Sequence, residues 1–521
     1  MKETPTEERA EDSDHILPIN RPATSKPSSA PEPSHPASLD SPDYRPRSLA
    51  NGSRGNGNGR SKPTAPLKES RHQASNVSAR SNGSRPSARL AARPPTRKLL
   101  GLRRDRFSRS QQLTIILSLV MLVGALSLGA YALLQLTQGQ QQTGLNPVAT
   151  NGVGASPKQL DPERRIAQYI DQMISKMTLD EELGQMIMVE WDEGGTINND
   201  LQYMIDNEHA GGIILYTFNN NIQTRPQVTA LTDAIQAHAK IPLLISIDQE
   251  GGEVNRLDPI TGPRPSARDI GSTNDSNAAY QQGKSDGQIL KALGFNVNLA
   301  PDVDVQKLSD SVFNASTMVG FEYRMYGTTP SKVADFAGAY LNGLQDQGVI
   351  GTLKHWPGLG ADTVDPHDAL PTLNSSKAEL NSVDFAPYRT LLAEGNVDMI
   401  MSTHELVPAY DKTYPATLSP ILIDQVLRQQ LGYQGVVITD GLYMQAISQH
   451  WSLTQAAVLA VKAGNDILLG PYNTQGVQNV IDALHAAISS GQISKARIDL
   501  SVQRILALKI KYGMIKLPPQ A

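Results

Sequence analysis

The sequence predicts a (β/α)8 TIM-type barrel over residues 161–521, preceded by a disordered polar arm and one apolar segment of membrane-spanning length. Three observations carry this α/β expectation. Apolar runs of strand length alternate with stretches of helix length, the rhythm of a parallel sheet covered by helices. The runs number eight. Polar residues capable of chemistry sit at the C-terminal ends of several of them, where a barrel gathers its active site.

Residues 1–110 are rich in Ser, Pro, Asn, Gly and Arg, with stretches such as NGSRGNGNGRSKP and few apolar clusters. Such a segment cannot bury enough surface to offset its ordering entropy and is expected to be a disordered cytoplasmic arm. It holds 21 basic and 11 acidic residues, which leaves 26 basic and 40 acidic in the remainder of a chain with net charge −4. The Arg excess suits an anionic partner, but a solvated tether has the same composition, and no nucleic-acid partner is expected.

Residues 111–137 contain LTIILSLVMLVGALSLGAYALLQL, without a charged side chain. At about 1.5 Å per residue this run spans a hydrocarbon core of about 30 Å, so a single transmembrane helix is expected. Arg97, Lys98, Arg103, Arg104, Arg106 and Arg109 precede it, whereas the linker 138–160 carries one lysine. Positive flanks stay cytoplasmic, so the C-terminal region is expected outside the membrane. The chain has no cysteine, which excludes disulfides and thiolate metal sites.

From residue 161 the pattern becomes globular. Thr178-Leu-Asp-Glu181 is a capping box and predicts a helix start. The strand-like runs follow as MIMVEW (186–191), GGIILY (211–216), PLLISID (242–248), NVNLAPDVDV (296–305), GTLKHW (351–356), VDMIMSTH (397–404), GVVITDG (435–441) and DILLG (466–470). A doubly wound open sheet is the alternative, and no G-x-G-x-x-G follows an early strand to support it. Asp248, Asp302, Asp304, Lys354, His355, His404 and Asp440 lie in or near the C-terminal strand ends.

Asp440 follows a wholly apolar run, which would hold a carboxylate on a rigid element, as a nucleophile requires. An N-cap aspartate at a strand-to-helix turn would look the same. The loop 354–371, KHWPGLGADTVDPHDALP, adds His367 two residues after Asp365. A carboxylate at that spacing can hold the ring and favour the imidazolium, keeping a proton donor near neutral pH. A carboxylate and a proton donor together fit glycoside hydrolysis. The spacing permits the Asp365–His367 contact without requiring it.

The same loop resembles the K-H-F-P-G-H-G-x-x-x-x-D-S-H-x-x-L-P signature of glycoside hydrolase family 3, in particular its β-N-acetylhexosaminidase branch. IDQEGGEVNRL (247–257) is similar to the family's D-Q-E-G-G-R-V-x-R, and RMYG (324–327) to its R-S-F-G. LGFNVNLAPDVDV, STHELVPAYD, PATLSP, LGYQGVVITDGLYM and AGNDILL match further blocks in order, over roughly residues 165–515. The resemblance implies a barrel and a retaining mechanism through a glycosyl-enzyme intermediate. It implies Asp440 as nucleophile, His367 as general acid/base and Asp365 as its partner. For the sugar subsite it implies Asp248, Arg256, Arg324, Lys354 and His355. No metal and no cofactor are expected, and the expected partner is an oligosaccharide or cell-wall glycan.

Four positions depart from the family pattern. Leu359 replaces a histidine, Glu253 an arginine, Gly441 an aspartate and Pro366 a serine. Glu253 changes charge beside the sugar subsite, and Pro366 fixes φ in the loop bearing His367. A histidine acid/base would not repel an incoming phosphate, which leaves phosphorolysis open beside hydrolysis. β-Glucosidases and β-xylosidases of the family usually take their acid/base from a separate C-terminal domain, so the D-P-H loop favours the N-acetylhexosaminidase reading. Two readings from other classes remain: an inert sugar-binding protein, and a metal-dependent hydrolase using His355, His367 and His404.

Overall fold

In the computed structural model, which describes residues 161–519, the apolar runs form eight parallel strands. They are β1 Ile187–Glu190, β2 Gly212–Ile214, β3 Leu244–Ile247, β4 Val297–Asn298, β5 Ile350–Trp356, β6 Met399–Ser402, β7 Val436–Thr439 and β8 Leu468–Leu469. Every residue in them is buried. Covering on both faces is why these runs read as continuously apolar rather than alternating. The strands are ordered β8-β1-β2-β3-β4-β5-β6-β7, and a bridge from Ile438 to Ile467 joins the last seam, so the barrel is all but closed.

Helices fill each crossover, among them Asn199–Asp206, Arg225–His238, Ser276–Ala292, Pro330–Gln345 and Leu453–Ala463. Their starts are written in the sequence. Thr178 Oγ1 accepts from the Glu181 amide at 3.2 Å while the Thr178 amide donates to Glu181 Oε2 at 2.8 Å, as the capping box predicts. Ser266 with Asp269, and Ser452 with Gln455 ahead of Leu453–Ala463, form further such boxes. The expected arm (1–110), membrane helix (111–137) and linker (138–160) lie outside the described residues. Among the described residues no helix is long and apolar enough to cross a membrane.

Two elements differ from expectation. The run NVNLAPDVDV contributes only Val297–Asn298 to the sheet. Pro301 has no amide hydrogen to continue the ladder, and Asp302 then rejoins β5 by a bridge to Lys354. Second, Gln249–Gly251 and Val254–Asn255 form an antiparallel hairpin directly after β3. Gly251 and Gly252 have φ of +90° and +55°, and a Cβ on Gly251 would stand 2.2 Å from the Pro265 carbonyl oxygen, so glycine is required there. The hairpin is fixed from β4: the Asn298 side chain accepts from the Gln249 amide at 2.9 Å and donates to its carbonyl at 2.8 Å.

The far end of the barrel wall is tied by Asp466, just before β8. Its fully buried carboxylate takes Arg428 at 2.6 Å, Arg504 at 3.2 Å, Arg497 at 3.4 Å, Ser501 Oγ at 2.7 Å and the Val437 amide at 3.0 Å. One side chain thereby links β7, β8, the helix Ile421–Gln430 and the C-terminal helix Lys495–Lys511.

Candidate active site

The C-terminal strand ends converge as the sequence predicts, and their centre is an ionic network. Lys354, near the end of β5, places Nζ 2.7 Å from Asp248 Oδ1 and 2.7 Å from Glu250 Oε1. Glu250, on the hairpin, is clamped from its other side by Arg324, with Nε and Nη2 each at 2.8 Å. Burial opposes the charge on Glu250, and Arg324 and Lys354 outweigh it, so its carboxyl is held well below the ordinary range. Burial likewise opposes the charge on Lys354, and Asp248 and Glu250 outweigh it and raise its pKa.

His355 extends the network. Its Nδ1–H donates to Asp304 Oδ2 at 2.8 Å, with Asp302 Oδ2 at 3.6 Å, and Nε2 accepts from Arg324 at 3.2 Å. Burial and then the Arg324 charge depress its pKa to about 4, so the ring is neutral at pH 7. Asp302, Asp304 and His355 place three ligand atoms within 4.8 Å of one another, a geometry that could hold an ion. The expected alternative trio of His355, His367 and His404 forms no such group among the described residues.

Asp440 follows β7, and its amide continues the ladder to Ser402 O at 2.9 Å. The half-buried carboxylate accepts from the Gly441 amide at 2.8 Å. Burial opposes its charge, and the imidazoles of His404, His355 and His367 more than offset that, leaving its pKa below the usual value. His404 sits behind it, fully buried. Its Nε2–H donates to the Gly441 carbonyl at 2.9 Å and Nδ1 meets Thr417 Oγ1 at 2.9 Å, so both nitrogens are engaged and the turn after Asp440 is fixed.

The Asp365–His367 contact is made: Nδ1 of His367 lies 2.8 Å from Asp365 Oδ1, which also accepts the His367 amide at 2.8 Å. The His367 side chain is 55% exposed at the mouth, and Nε2 has no protein partner among the described residues. Burial works against the imidazolium, but Asp365 outweighs it and raises the pKa; in return the Asp365 pKa is lowered. The loop is pinned beside Asp440, since the Pro366 carbonyl accepts from Ala446 at 3.0 Å and the His367 carbonyl from Gln445 at 3.3 Å.

The remaining residues sort by place. Arg256 stands apart from the ionic network, its guanidinium 5.6 Å over the Phe218 ring and its Nε buried without a partner. Glu253 is exposed in the hairpin turn. Leu359 is buried with Phe313, Met318, Phe321 and Met325, an apolar cluster that accounts for a leucine where the family pattern has histidine. At Gly441 a Cβ would come within 2.5 Å of the Tyr443 ring, so the aspartate of the family pattern has no room while Tyr443 holds that position. Two groups escaped the sequence reading. Glu250 stood inside the quoted IDQEGG block without a role, and Glu190 stands next to the end of MIMVEW and closes β1, where the strand-end rule applied to other runs would have found it.

Comparison with known proteins identifies the family of the barrel. Residues 178–508 match the model described as the glycosyl hydrolase family 3 N terminal domain. The chain is 33% identical over 320 residues to the β-hexosaminidase LpqI of Mycobacterium tuberculosis, covering 60% of this chain and 78% of that protein. β-Hexosaminidase A of Pseudoalteromonas piscicida is 31% identical over 349 residues, 61% of this chain and 56% of that protein. A solved family 3 β-N-acetylglucosaminidase from Paenibacillus sp. str. FPU-7 superposes with a TM-score of 0.60 at 39% identity, covering 65% of this chain and 63% of that one. Barrel, motif order and match extent agree, and this chain, a glycoside hydrolase, belongs to glycosyl hydrolase family 3.

Proposed function

We propose that the protein is a retaining exo-β-N-acetylglucosaminidase, anchored in a membrane by residues 111–137 with its barrel on the extracytoplasmic side. The observation that carries the chemistry is the Asp365–His367 dyad, closed at 2.8 Å on a loop pinned beside the strand that delivers Asp440. Relatives named β-hexosaminidase and β-N-acetylglucosaminidase support the choice of sugar.

In the first step an Asp440 oxygen attacks the anomeric carbon while His367 Nε2–H gives its proton to the leaving oxygen. The glycosidic C–O bond breaks, the aglycone departs as an alcohol, and a glycosyl ester remains on Asp440. In the second step neutral His367 takes a proton from water, whose oxygen attacks the anomeric carbon and frees the Asp440 carboxylate. Asp365 stabilises the imidazolium at each stage. Asp248, Lys354, His355, Arg324 and Arg256 hold the sugar, with cell-wall fragments or chitin-like oligosaccharides as the substrates.

Hydrolysis of chromogenic β-N-acetylglucosaminide and β-glucoside tests this reading. We expect preference for the N-acetyl sugar, loss of at least about 1,000-fold in Asp440→Ala and about 100-fold or more in His367→Ala. Equal turnover of both sugars would overturn the specificity, and full activity in Asp440→Ala the mechanism. A chelator should leave the rate unchanged. Loss restored by a divalent ion would shift attention to Asp302, Asp304 and His355.

A further inference from the structure

In an eight-stranded ring β1 stands across from β5. Lys354 of β5, with Asp248 and Glu250, gives one side of the mouth its charged groups, and the neutral His355 stands beside them. At the end of β1 the opposite side carries Glu190, 9% exposed and flanked by the buried Trp191 and Tyr216. Its backbone is fixed in the sheet, with Glu190 registered on Ile214 and its amide bonded to Pro471 O at 3.0 Å. Among the described residues no salt bridge includes Glu190, and the groups that act on its carboxyl, Tyr443, Asp192, His367 and Asp248, belong to the strand ends and loops of the mouth.

Tyr443 shapes the same wall. Its ring lies over two glycines: a Cβ on Gly441 would meet it at 2.5 Å and one on Gly470 at 3.3 Å. Its hydroxyl stands beside Glu190 and Tyr216. The glycine next to Asp440 and the tyrosine that occupies its space are thus one packing unit, and that unit brings a hydroxyl to the β1 carboxyl. Burial pushes the Glu190 carboxyl up to about 7, with Tyr443 opposing and Asp192 reinforcing the shift; His367 and Asp248 are the other ionisable groups that act on it. A carboxyl that exchanges its proton near neutrality can donate to or accept from a sugar hydroxyl, which is itself both donor and acceptor.

We propose that Glu190, backed by Tyr443, is a further sugar-binding residue that takes a hydroxyl of the terminal sugar on the side of the subsite opposite Lys354. The inference rests on the glycosidase reading and deepens it, because it assigns the second wall of the same subsite. The wall selects a hydroxylated, uncharged sugar edge, since an anionic substituent there would meet the carboxyls of Glu190 and Asp192.

A substrate–variant cycle on the full-length protein tests the proposal. Parent, Glu190→Gln and Tyr443→Phe are assayed on an aryl β-N-acetylglucosaminide and on its 3-, 4- and 6-deoxy analogues. One analogue should cost the parent about 10- to 100-fold in kcat/KM, and on that analogue Glu190→Gln should lose little more, because the bond is already absent. On the other analogues the losses should multiply. Multiplicative loss on all three analogues, in a Glu190→Gln protein that melts with the parent, would overturn the inference and leave Glu190 as a packing residue. Should the parent cleave β-glucosides and no N-acetyl sugar, the specificity reading fails alone and the same cycle runs on deoxy-glucosides. If the parent cleaves neither, calorimetric binding of N-acetylglucosamine and its deoxy forms decides the point. Loss of one analogue's affinity in step with Glu190→Gln supports the proposal, and no sugar binding overturns it.

Discussion

At the residue scale the decisive property is how the site divides its protons. Asp440 is held below the ordinary carboxylate value and His367 above the ordinary imidazole value, so between them lies a pH range in which Asp440 is ionised and His367 protonated, the states that the proposed mechanism needs. The kcat/KM profile should therefore be bell-shaped, its alkaline limb set by loss of the His367 proton. Asp365→Asn removes the carboxylate that favours the imidazolium, so the alkaline limb should move to lower pH and the plateau should fall about 10- to 100-fold. An unmoved limb would assign it to another group. Glu250 gives a second residue-scale prediction. Its neutralisation leaves Arg324 without its carboxylate partner and Lys354 with Asp248 alone, so Glu250→Gln should cost about 3 kcal/mol in stability, measured by denaturant unfolding, as well as activity.

At the element scale Asp466 holds the wall behind β7, the strand that delivers Asp440. Burial opposes its charge, while Arg428, Arg497 and Arg504 with the Val437 amide outweigh that and depress its pKa. A depressed carboxyl contributes stability that is fully present above its unfolded value of about 4 and is lost as pH falls through the lower folded value. Asp466→Asn should cost about 3–5 kcal/mol near neutral pH and flatten the acid limb of the stability curve, as denaturant melts from pH 2 to 7 would reveal. No sequence pattern announces this hub, because its partners are scattered along the chain and their pairing is a property of the closed barrel. The same limit hid Glu250, which joins a strand-end lysine to an arginine 74 residues away. Local signals fared better. Continuous apolar runs gave the eight strands, the Thr178 capping box gave a helix start, and D-P-H spacing allowed the dyad that the fold then closes. Strand lengths were less legible, since Pro301 truncates β4 for want of an amide hydrogen.

At the scale of the whole molecule, the proposed anchor concerns where the barrel is held. The described part is a barrel whose mouth opens through βα loops, and residues 161–519 supply every group in the network from Asp248 to Asp440. The proposed anchor, residues 111–137, lies apart in sequence from those groups, so the proposal predicts that anchoring and catalysis are separable. The full chain should remain with membranes after an alkaline carbonate wash, whereas a chain beginning at Ser156 should be released at unchanged kcat/KM on a small chromogenic glycoside. Protease added outside intact cells should reach the barrel and spare the arm, as the positive flank before residue 111 requires. Full-length protein in the wash supernatant would remove the anchor from the proposal, and protection of the barrel would reverse its orientation. A truncated chain that cleaved the small glycoside normally but lost action on polymeric wall material would show that the anchor acts by holding the mouth at its substrate.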